Sequence, residues 1–92
     1  MTPDELRALP EAPSQSVAIR ALWWAAHSDW KHAHEAAQAG EGAPAAWVHA
    51  YLHRVEGDLE NASYWYGRAG KSIATGPLDD EWQAIAAALL KV

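Results

Sequence analysis

Ser28-Asp29-Trp30-Lys31-His32-Ala33 and Gly57-Asp58-Leu59-Glu60-Asn61-Ala62 are two copies of one segment, 29 residues apart. Each copy follows an aromatic-rich stretch of helical periodicity and opens a second one. Self-similarity at this period is the signature of stacked helical hairpins, in which each unit covers the apolar face of its neighbour. The aspartate of each copy suits a helix N-cap, because a carboxylate there accepts from backbone N–H groups that have no intrahelical partner.

Working outward from the repeat, the chain divides into helices. Thr2-Pro3-Asp4-Glu5 has the spacing of a capping box, with proline at the first helical position. Pro10-Glu11-Ala12-Pro13 ends that short turn. A helix is expected from about Ser14 to His27, with apolar residues on two sides, and a second from Asp29 to Ala39. Gly40-Glu41-Gly42 terminates it, and Pro44 opens a third helix from about Ala45 to Glu56. Gly57 closes that helix, and Asp58 caps a fourth that is expected to run to Ser72–Thr75, with Gly67 and Gly70 inside it. Asp79-Asp80-Glu81 begins a fifth, where acids complement the helix dipole, and Leu78, Trp82, Ile85 and Leu89 form its stripe. Nothing alternates with period two, so no strand is expected.

The segment from Ala46-Trp47-Val48-His49-Ala50 through Gly57-Asp58 to Tyr64-Trp65-Tyr66-Gly67-Arg68-Ala69 resembles a tetratricopeptide repeat. Ala50 matches the small residue of its first helix, Gly57-Asp58 its turn, and Ala62, Tyr66 and Ala69 the pattern of its second helix. Upstream, Ala21, Ser28-Asp29, Trp30 and Ala33 match, and Ala37 stands where the aromatic belongs. The resemblance covers about Ser14 to Ala69. It implies one all-α domain over residues 1–92: a first hairpin at 14–39, a second at 44–75 and a capping helix at 78–91. It also implies a groove that binds a protein or peptide segment, or a second copy of the chain. By position that groove takes Trp47, Tyr51 and Arg54 with Val55 from the third helix, and Gln15 and Leu22 with Ala18 and Ala25 from the first. Of the Lys, Asn and Arg set that grips a terminal carboxylate, only Arg54 is matched, so no carboxylate clamp is expected.

Composition narrows the function classes. The 92 residues suffice for one domain with a modest core, whose bulk must come from six Trp because much of the apolar content is alanine. Absence of cysteine excludes disulfides, thiolate metal sites and thiol nucleophiles. Met1-Thr2-Pro3-Asp4-Glu5 lacks a basic region and an apolar run, and no stretch is long enough to span a bilayer, so a cytoplasmic protein without a membrane partner is expected. The net charge is −5 and the seven Lys and Arg are dispersed, which argues against nucleic acid.

Five histidines are present. His49 and His53 stand at i and i+4, close enough to share an ion, and Glu56 continues their face. His32 and His34, two residues apart, point in different directions on a helix. The helix lacks the adjacent glutamate of a zinc-protease motif, and no phosphate loop or nucleophile elbow occurs, so neither an enzyme nor a cofactor is expected. The sequence thus favours a small interaction module acting through Trp47, Tyr51 and Arg54. Its alternative is a small-molecule or metal-binding helical protein using His49 and His53.

Overall fold

The computed structural model describes residues 1–91. It is all-helical, with α1 at Pro3–Ala8, α2 at Val17–Ala26, α3 at Trp30–Ala39, α4 at Gly42–Glu56, α5 at Leu59–Ala69 and α6 at Leu78–Leu89. The described residues include no strand.

Local chemistry explains most of the boundaries. Thr2 Oγ1 accepts from the Glu5 N–H at 3.1 Å, while the Glu5 carboxylate accepts from the Thr2 N–H at 2.8 Å, completing the capping box. Ser16 caps α2, accepting from Ile19 N at 3.2 Å. Asp29 and Asp58 accept from His32 N and Asn61 N, so both repeat copies start a helix in the same way. α4 begins at Gly42, ahead of the expected Ala45, which leaves Pro44 inside a first turn where a missing N–H costs nothing. α5 stops at Ala69 and does not reach Ser72–Thr75. Gly70 takes φ +70°, and its N–H and that of Lys71 donate to the last carbonyls, so Gly70 is the helix stop and not an interior residue.

The helices pack as neighbours in sequence and then across it. α2 lies against α3 and α4 against α5, while α3 and α2 both touch α4. α6 crosses α2 and α4, and α1 sits against α2 and α6. Leu6, Leu22, Val48, Leu52, Trp82 and Ile85 are fully buried where these elements meet. The Trp82 indole N–H donates to the Leu22 carbonyl at 2.9 Å, which satisfies its one polar atom and ties α6 to the middle of α2. Arg54 pairs with Glu81 at 2.9 Å and also donates to the Gly76 carbonyl, and Tyr66 donates to the second Glu81 oxygen. Trp23 and Trp24 diverge as adjacent helical residues must. Trp23 is buried, with its N–H on the Leu9 carbonyl, and Trp24 stacks on His32.

No helix among the described residues is long and apolar enough to cross a membrane.

Two glycines separate close packing from open surface. A Cβ at Gly40 would lie 2.5 Å from Val17 Cγ2 and 2.8 Å from Ala45 Cβ, so this turn fits only without a side chain. Gly67, inside α5, has nothing within 4 Å of the same position. Gly40→Ala should therefore lose about 1–3 kcal/mol by overpacking, and Gly67→Ala should gain up to about 1 kcal/mol of helix propensity. Urea unfolding midpoints of the two variants check this; equal effects of the same sign would refute it.

Candidate metal centre

Three imidazoles meet where α3 packs on α4. His49 and His53, one turn apart on α4, stack with ring centroids 4.9 Å apart. His34, from α3, presents its Nε2 to His49 Nε2 at 3.0 Å. One ring nitrogen from each of the three lies within 4.8 Å of the others. His49 and His53 are 5% and 8% exposed, and His34 is half-buried.

Each ring is oriented by a neighbour. Glu56 accepts from His53 Nδ1 at 2.6 Å, which orients that ring and leaves Nε2 as its nitrogen for a metal. Trp65 stacks on His49 with centroids 3.9 Å apart, and Trp30 stacks on His34 at 4.7 Å. The Trp30 indole N–H is held by the Leu52 carbonyl at 2.7 Å, so the ring flanking His34 is itself anchored to α4. A second set of oxygen and nitrogen atoms, from His53, Glu56 and Asp58, also lies close together. Asp58, however, is engaged in capping α5 through Asn61.

The Nε2–Nε2 approach of His34 and His49 admits two states. Either one neutral ring donates to the other, or both lone pairs face a shared cation. Tetrahedral zinc with bonds of about 2.0–2.1 Å spaces its ligand nitrogens by roughly 3.3 Å, so only a small spread of the rings separates the two.

Burial sets the protonation. Loss of water holds His49 down at about 4, helped by the nearby charges of His34 and His53. The same desolvation, with His53 next, lowers His34 below its ordinary value of 6.5. Both rings are thus kept neutral, the form a metal requires.

The residues expected to form a binding face are placed otherwise. Leu22 and Tyr51 are buried, and Arg54 is largely enclosed in its pair with Glu81. Trp47 is half-buried with Lys71 Nζ 4.2 Å over its ring, and Gln15 is exposed ahead of α2. Trp47, Tyr51 and Arg54 are therefore not exposed together, because α6 lies on α2 and α4 and takes up that side. The structure does bring His49 and His53 together, as their spacing implies. It adds His34 from α3, which the spacing of His49 and His53 along one helix does not indicate. His34 is seven residues before Glu41 and His49 eight after it, so the turn between α3 and α4 brings them level; that near-symmetry was the available signal. His32, by contrast, is on the other side of α3, hydrogen-bonded to Asp29 at 2.8 Å.

No known protein family, curated protein or solved structure matches this chain.

Acid should act on the fold through His49. Below pH 6.5 an imidazole of the unfolded chain takes up a proton that His49 refuses until about pH 4. The unfolded state then binds more protons, so stability falls as pH drops through that window. At 1.36 kcal/mol per pH unit the full loss is roughly 3 kcal/mol. Metal-free protein should show this decline in urea midpoint between pH 6.5 and 4, and His49→Gln should flatten most of it. An unchanged slope in the variant would contradict the assignment.

Proposed function

We propose that this chain is a small divalent-metal-binding helical protein, with the ion held by His34, His49 and His53 and with Glu56 orienting His53. The observation that carries the reading is the convergence of three imidazoles, two buried and one half-buried, one nitrogen of each within 4.8 Å of the others. Isolated buried histidines usually find a backbone or side-chain partner of their own. Here two rings face each other nitrogen to nitrogen at 3.0 Å, with a third beside them, an arrangement a shared cation would suit. Imidazole ligands suit zinc, copper, nickel and iron. Three protein ligands leave one tetrahedral position open, as in sites where an exchangeable ligand binds.

The tetratricopeptide resemblance belongs to the same proposal as its scaffold. The pairing of α2 with α3 and of α4 with α5 supports it. On this reading the two hairpins hold the metal between them, and α6 fills the side a peptide would otherwise occupy.

Zinc at about a hundred times its dissociation constant should stabilise the protein by about 2.7 kcal/mol, raising the melting midpoint by about 10 °C or more. Copper or nickel should quench the emission of Trp30 and Trp65, which stack on the ligands. His34→Gln and His49→Gln should each abolish both effects. His27→Gln and His32→Gln should leave them intact, since those rings are engaged with the Trp23 carbonyl and with Asp29. The proposal falls if wild-type protein shows no shift, or if His49→Gln keeps it. Glu56→Gln should weaken binding by about 10–100-fold, the usual consequence of losing the partner that orients a ligand.

A further inference from the structure

The metal reading leaves open what fills the fourth position, and one cavity bears on it. A cleft of about 430 Å³ lies between the end of α3, the start of α4 and α5. His49 belongs both to the histidine cluster and to the wall of this cleft, with Trp65, Arg68, Gln38 and Glu41. The volume is in the range that holds a small organic ligand.

We infer that this cleft admits a small carboxylate, which becomes the exchangeable fourth ligand of the ion at His34, His49 and His53. The inference rests on the metal reading above. Imidazole ligands bring no negative charge, so a divalent ion among the three keeps both of its positive charges and favours an anion in the open position. Arg68 supplies the recognition. Among the described residues it makes no ion pair, and its hydrogen bond goes to the Tyr64 hydroxyl at 2.9 Å, which leaves guanidinium N–H groups for a carboxylate. Trp65 offers an aromatic wall beside His49 for an apolar body attached to that carboxylate.

Glu41 makes the cleft's attraction for an anion depend on the metal. It lines the cleft with Arg68, and their opposite charges leave the metal-free cleft with no net charge to attract an anion. With the ion in place the balance turns positive. An anion is then favoured, and the Trp65 wall favours one with an apolar body over inorganic phosphate. Binding of the carboxylate therefore depends on the metal.

The test uses the full chain loaded with cobalt(II), whose visible spectrum reports coordination, titrated with benzoate, acetate and inorganic phosphate. Benzoate should change the spectrum saturably and more tightly than acetate or phosphate. Metal-free protein should give no benzoate heat in calorimetry. Arg68→Ala, at an exposed position, should weaken benzoate about tenfold while cobalt affinity stays the same, and Glu41→Gln should tighten it. A cobalt spectrum that benzoate leaves unchanged would overturn this inference alone, as would equal binding by metal-free protein, tighter binding of phosphate, or an Arg68→Ala variant with unaltered affinity. Failure of cobalt to bind at all would overturn the metal reading and this inference with it.

Discussion

The turn at Gly40 and Glu41 is the constraint on which the rest of the molecule depends. It is the whole connection between α3 and α4, and it packs so closely on α2 that a Cβ at Gly40 has no room beside Val17 and Ala45. So short a link forces the two helices to run back along each other. His34 and His49 thereby come level, with Trp30 and Trp65 outside them. The imidazole cluster follows from that turn together with the helical spacing of His49 and His53. Neither helix could assemble it alone.

A second buried polar group fixes the other half of the fold. Glu81 on α6 receives Arg54 from α4 and Tyr66 from α5, and Arg54 also holds the Gly76 carbonyl. Burial and the adjacent carboxylate push the Tyr66 hydroxyl far above its ordinary range, so it stays protonated and serves as a donor. Such a network is valuable mainly because it is complete, since removing one partner strands the others away from water. With Trp82 on the Leu22 carbonyl, it holds α6 across α2 and α4. The Tyr51 side of α4 is thereby interior.

Local signals were the legible part of the sequence. The capping box at Thr2 and Glu5, the aspartate caps of α3 and α5, and the stop at Gly57 depend on a few adjacent residues, and each is present. The end of α5 is not legible, because Gly70 is equally compatible with a helix interior and a helix stop until its backbone conformation is seen. The stripe of Trp82, Ile85 and Leu89 showed that α6 buries a face, but a stripe does not say which helices cover it. Tyr51 and Arg54 suffered from the same gap: their types suit an exposed hot spot and also a buried anchor. His34 is not legible as a ligand because its partners are on another helix, and only the geometry of the turn makes them neighbours.

The proposed function requires an ion among the three rings, and diffraction locates one directly. Crystals grown with zinc and measured on both sides of its absorption edge should give an anomalous peak about 2.0–2.1 Å from one nitrogen each of His34, His49 and His53. An empty cluster, or zinc found instead on His27 or His32, would contradict it.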